Sequence, residues 1–237
     1  MKHILVYSDS LSWGIIPNTR DRLPFESRWP GVLENKLLES GERVRVIEDC
    51  LNGRRTIWED PFKPGRNGLQ GLAQRIEIHS PLSLVILMLG TNDFQFNHPY
   101  SYAWSAAQGV ATLVNAVRQA PIEPGMPIAP ILVISPPQIN APKGATGQKF
   151  LGAESRCAGL AEAYSLMSSG LNCHFFDAGS VVTVSPLDGV HLDPDQHPML
   201  GEAVARVVAP ILQGKPQTST ADTTRLSAEM GTSIARG

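Results

Sequence analysis

The run Leu84-Val-Ile-Leu-Met-Leu89 is apolar without interruption. A stretch this short and this even suits a strand covered on both faces, as in a parallel sheet held between helices. Four other β-rich runs, Ile4–Tyr7, Val44–Ile47, Ile131–Ile134 and Cys173–Phe176, are spread along the chain. Val44-Arg45-Val46 alternates, which suits a strand nearer an edge. Stretches of helical period lie between the runs. Tyr102–Val117 places Ala103, Ala107, Val110, Val114 and Val117 on one face, at a 3.6-residue period. Trp29–Leu38 carries Pro30 in its first turn, where the missing N–H costs nothing, and stops before Gly41. Leu69–Ile78, Glu154–Met167 and Met199–Leu212 are the remaining helix candidates. This alternation predicts an α/β fold: a five-stranded parallel sheet with helices on both faces.

At 237 residues and 42% hydrophobic content, the chain can bury a full core, which excludes wholesale disorder. Residues 1–212 read as one domain. Residues 213–237, rich in Thr, Ser, Ala and Gly, read as a polar tail or arm. A net charge of −2 leaves no electrostatic footprint for nucleic acid or an acidic membrane. The three cysteines, Cys50, Cys157 and Cys173, are odd in number and widely spaced, so neither a disulfide framework nor a metal-ligand pair is expected. The apolar run at the N-terminus stops at Ser8, too short for a signal peptide, and no run reaches the length of a membrane span. The expectation is a cytoplasmic protein with no membrane partner.

In a parallel sheet, reactive groups gather beyond the carboxyl ends of the strands. After the first strand comes Ser8-Asp9-Ser10-Leu11-Ser12-Trp13-Gly14. After the second comes Asn52-Gly53-Arg54-Arg55, and after the third Gly90-Thr91-Asn92-Asp93. Beyond the fifth lie Asp177-Ala-Gly-Ser180 and Asp188-Gly-Val-His191. One rim thus receives the parts for acyl transfer. Ser10 would be the nucleophile, His191 the base that takes its proton, and Asp188 the group that fixes the imidazole. The Ser10 and Gly53 N–H groups and the Asn92 amide would face the oxyanion. Trp13 and Phe94, just past the rim residues, would line the substrate pocket.

Each residue also has a structural reading. Ser10 suits a helix cap, Asp188 a loop hydrogen bond, His191 a satisfied structural histidine, and Asn92-Asp93 a turn. Arg54-Arg55 reads as a solvated charge pair or as a recognition element for an anionic substrate. His191-x-Asp193-x-Asp195-x-His197 alternates ligand types, but Pro194 and Pro198 place it in a loop entering a helix and Asp188 engages His191. No metal is expected there.

Four blocks in order, Asp9-Ser10-Leu11 with Trp13-Gly14, Gly53, Gly90-Thr91-Asn92-Asp93 and Asp188-x-x-His191, resemble those of the SGNH (GDSL-type) hydrolases. Arg28-Trp29, Ser135-Pro136-Pro137 and Asp177-Ala-Gly-Ser180-Val resemble the arylesterase and acyltransferase branch. The resemblance implies a flavodoxin-like three-layer α/β/α fold and cofactor-free hydrolysis of short-chain esters, with possible transfer to alcohols. It assigns Ser10, Asp188 and His191 as the catalytic set and Ser10, Gly53 and Asn92 as oxyanion donors, and it implies a homo-oligomer. A carbohydrate acetylesterase is a variant of the same chemistry. One departure stands out: Ser8 occupies the place of the family's block-opening glycine. Strain there would make the chain a catalytically impaired binding or scaffold protein.

Overall fold

The computed structural model describes residues 1–19, 21–98 and 101–214; most of the expected tail lies outside them. Strands β1 (Lys2–Ser8), β2 (Val44–Cys50), β3 (Leu84–Met88), β4 (Ile131–Ser135) and β5 (His174–Asp177) form one parallel sheet in the order β2-β1-β3-β4-β5. The helices are α1 (Ser10–Trp13), α2 (Trp29–Glu39), α3 (Leu72–His79), α4 (Ala103–Arg118), α5 (Ala145–Lys149), α6 (Ala153–Arg156), α7 (Leu160–Gly170) and α8 (Gln196–Leu212).

Side chains alternate across a strand, and the sheet sorts them by parity. Leu5, Tyr7, Val85, Leu87, Ile131 and Val133 join the core under α3, α4 and α7. Ile4, Val6, Leu84, Ile86, Met88, Leu132 and Ile134 join the one under α2 and α8. Two cores therefore require both parities of β3 to be apolar, which accounts for the uninterrupted run. Each Val, Leu or Ile buried this way contributes about 1.5–3 kcal/mol.

One predicted helix divides. The expected Glu154–Met167 is α6 followed by α7, because Gly159 takes a left-handed φ of +77° between them. Such a backbone suits glycine and interrupts a right-handed helix. Among the described residues, no helix is long and apolar enough to cross a membrane.

His197, in the first turn of α8, is buried, and its Nδ1 accepts from the Trp29 N–H at 3.3 Å, joining α8 to α2. Burial, with the Arg28 charge adding to it, lowers its pKa from 6.5 to about 4. The unfolded chain takes up a proton below pH 6.5 that the folded state resists. This contribution to stability is therefore complete above pH 6.5 and lost as pH falls through 4, amounting to at most about 3 kcal/mol. Asp9 and Asp93, raised to about 6 by burial, act with the opposite sign, favouring the fold below pH 3.8 and losing that contribution as pH rises through 6. Both aspartates are retained in His197→Gln, so the comparison with the parent isolates His197. The variant should lose stability less steeply between pH 6.5 and 4 in urea titrations; equal slopes would refute the assignment.

Candidate active site

β1 lies between β2 and β3, and at its end Asp9 turns the chain by accepting the Leu11 N–H at 3.0 Å. Ser10 becomes the first residue of the one-turn helix α1, so its own N–H has no intrahelical acceptor. Beneath it, three buried groups form a line. Trp29 Nε1 donates to Ser12 Oγ at 3.0 Å, Ser12 Oγ to Ser8 Oγ at 2.5 Å, and Ser8 Oγ to the Met88 carbonyl at 2.7 Å. Ser8 is regular strand, paired with Cys50 and Met88, and its φ is not positive. Serine at the family's glycine position therefore stores no backbone strain.

Ser8→Gly would leave the buried Ser12 hydroxyl without its acceptor, costing about 1–3 kcal/mol. We expect a lower Tm with kcat within a few-fold of the parent. A rise in kcat above tenfold would show that Ser8 does impair the site.

Ser10, Asp188 and His191 come together. Asp188 Oδ1 accepts the Val190 and His191 N–H groups, both at 2.9 Å, and its Oδ2 meets His191 Nδ1 at 2.7 Å. His191 Nε2 faces Ser10 Oγ at 3.2 Å. Burial would raise the Asp188 carboxyl, but the hydrogen bonds from the His191 ring and the two N–H groups outweigh it and hold the pKa below the ordinary value. An ionised Asp188 requires the proton on Nδ1, which leaves Nε2 as an acceptor aimed at the serine. The segment 136–148, which runs into α5, clasps this turn. Asn140 N donates to Gly189 O at 3.0 Å, and Lys143 N and Thr146 Oγ1 donate to Asp188 O at 3.1 and 2.5 Å.

Gly53 follows β2 with φ +86°, a conformation that glycine reaches without the steric cost of a side chain. Among the described residues, neither the Gly53 nor the Ser10 N–H has a protein acceptor. Asn92, in the 3₁₀ turn after β3, donates from Nδ2 to Asp9 Oδ2 at 2.9 Å and to the Arg54 carbonyl at 3.2 Å. Both amide hydrogens thus face protein acceptors. Asp93 accepts from the N–H and hydroxyl of Thr56, tying the 53–56 turn to this segment.

Two expectations need correction. Phe94 does not line a pocket: it is 0% exposed. The 3₁₀ turn over Thr91–Phe94 directs its ring down into the core beside α4. Phe96, 60% exposed, stands in the nearby cleft instead. Arg54 and Arg55 are not solvated charges; both are buried. Arg54 donates to the carbonyls of Ser8 and Asp49 and to the Asp49 carboxylate at 2.6 Å, and it stacks on the Tyr7 ring at 3.9 Å. Strands that end inside the molecule leave carbonyls in need of donors, and the turn after Gly53 supplies them. Trp13 is half-buried, with the Arg22 guanidinium 4.7 Å from its ring centre. Sequence reasoning missed Asp9 and Gln95 as partners of Asn92. Asp9 lies inside the first recognised block and Gln95 two residues beyond the third, and that placement was the available signal.

The GDSL-like lipase/acylhydrolase family model matches residues 9–199. An arylesterase of Vibrio mimicus is 38% identical over 90 residues, and that match spans 38% of this chain and 37% of the relative's length. The inhibitor-bound aryl esterase of M. smegmatis superposes with a TM-score of 0.84 at 34% identity, covering 89% of this chain and 100% of that one. A carbohydrate acetylesterase family member from Sinorhizobium meliloti gives 0.84 at 35% identity, covering 90% and 100%. With the family model spanning the whole rim from Asp9 to His191, the chain belongs to the GDSL-like lipase/acylhydrolase family and is a serine-type carboxylic ester hydrolase.

Proposed function

We propose that this esterase cleaves short-chain acyl esters, aryl esters foremost, through an acyl-enzyme on Ser10. The observation that carries the reading is the line Ser10 Oγ, His191 Nε2, His191 Nδ1, Asp188 Oδ2, with contacts of 3.2 and 2.7 Å. His191 takes the serine proton as Oγ attacks the ester carbonyl, and the resulting oxyanion meets the Ser10 and Gly53 N–H groups and Asn92. Collapse expels the alcohol, protonated by the imidazolium. Water, activated by the same imidazole, then releases the acid, and an alcohol in its place gives acyl transfer. A cleft of about 700 Å3 lined by Phe62, Phe96, Pro142 and Leu151, between the segment after Asn92 and the loop on Asp188, supports an aromatic leaving group. The Sinorhizobium meliloti neighbour supports acetylated sugars as a second substrate class. The exposed Phe62, Trp104 and Leu166 support self-association. The scaffold alternative required strain at Ser8, and Ser8 has none.

The test is turnover of a p-nitrophenyl ester series together with covalent labelling by an organophosphonate. We expect a maximum between acetate and butyrate, and one label per chain, on Ser10. A maximum at octanoate or beyond would overturn the acyl-length reading. A label on any other residue would overturn the nucleophile.

A further inference from the structure

Arg55 is 1% exposed and held at both backbone ends: its N–H donates to Arg66 O at 2.8 Å and its carbonyl accepts from Gly68 N at 3.2 Å. Its guanidinium donates to Glu59 O at 3.0 Å, to Asn97 Oδ1 at 2.5 Å and to Gln95 Oε1 at 2.9 Å, with the Asp60 carboxylate at 3.8 Å. A guanidinium has donors and no acceptor. Gln95 must therefore turn its oxygen towards Arg55, which sends its amide N–H2 the other way. That group donates to Asn92 Oδ1 at 2.8 Å. With its oxygen taken, Asn92 can present only its N–H2 end to Asp9 and the Arg54 carbonyl. A chain of two amides, each able to flip, thus receives its polarity from a buried cation that cannot.

We propose that Gln95, clamped by Arg55, is a positioning residue of the ester hydrolysis: it holds the Asn92 amide with its donor end towards the oxyanion. This rests on the reading of Asn92 as an oxyanion donor. It also gives Arg55 a role in the reaction that a surface charge could not have.

Gln95→Glu separates positioning from packing. The carboxylate has nearly the same shape and keeps Arg55 as its partner, so a purely structural Gln95 predicts a folded variant with unchanged kcat, whatever the shift in Tm. It cannot donate to Asn92 Oδ1, however, and it sets two acceptors face to face. Positioning therefore predicts a folded variant with kcat for p-nitrophenyl acetate reduced roughly 10–100-fold and KM within about threefold. In an Asn92→Ala background, Gln95→Glu should cost less than about threefold more, because it acts through the residue already removed. If the Glu variant does not fold, Gln95→Met, which removes both amide contacts, takes its place under the same criteria. The proposal is overturned if kcat stays within about threefold of the parent, if only KM moves, or if the loss persists undiminished without Asn92. Asn92→Ala measured alone tells the two failures apart. If it costs little, the donor assignment is wrong and the relay falls with it; if it is severe while Gln95→Glu is silent, only the relay falls.

Discussion

Ser10→Ala should abolish the acyl-enzyme and lower kcat on the order of 10⁶-fold, with His191→Ala comparably severe and the double variant no worse. The reason is the single contact of 3.2 Å between Ser10 Oγ and His191 Nε2. A hydroxyl is a weak nucleophile until a base takes its proton, and an imidazole with no hydroxyl to serve contributes little. The two act as one unit, so removing either removes nearly everything. Intact-mass measurement after exposure to an organophosphonate reads the outcome directly: the parent gains one adduct and Ser10→Ala gains none. Ser8 and Ser12 cannot substitute, since both are buried in the hydrogen-bonded line below the rim. Near-normal turnover by Ser10→Ala would end this account of the site.

Asp188→Asn should cost up to about 10⁴-fold in kcat with the fold intact. Asp188 Oδ1 is fixed by the Val190 and His191 N–H groups, so in the asparagine variant that position must remain the oxygen. The new N–H2 then falls where Oδ2 was, against His191 Nδ1. It can only donate there, which forces the ring proton onto Nε2 and leaves the serine facing a donor. The turn itself keeps its backbone bonds to Asn140 and Lys143, so Tm should change little. Steady-state kinetics beside a thermal melt would check this, and a loss under tenfold with an unaltered Tm would contradict the tautomer argument.

The strands were legible because burial on both faces imposes an apolar demand that few other structures share; Leu84–Leu89 reads as a strand from its letters alone. The break between α6 and α7 was less legible, since Gly159 interrupts a helix only by adopting a left-handed backbone, which composition does not reveal. The rim residues were found because a parallel sheet dictates where to look, and the family's block order narrowed the choice. Phe94 misled because position along the chain says little about rotation within a 3₁₀ turn: neighbours two residues apart, Phe94 and Phe96, end in core and cleft. Arg54 and Arg55 misled for a different reason. A charged pair reads as surface unless its acceptors are known, and theirs come from Ser8, Asp49, Gln95 and Asn97, groups that only the folded chain assembles.

The order of the sheet carries a consequence for how such a site can change. β2, β1 and β3 lie side by side, and the segments leaving them deliver Gly53, Ser10 and Asn92 respectively. Parallel neighbours sit about 4.8 Å apart because their backbones are hydrogen-bonded. The spacing of the three proposed oxyanion donors therefore starts from a pitch that the backbone sets rather than any side chain. Segments 60–63 and 142–151, the latter carrying the short helix α5, border the cleft and can be rewritten to admit different esters while the pitch stays constant. A one-residue slip of β1 against either neighbour would do the reverse, leaving every cleft residue in place and spoiling the reaction.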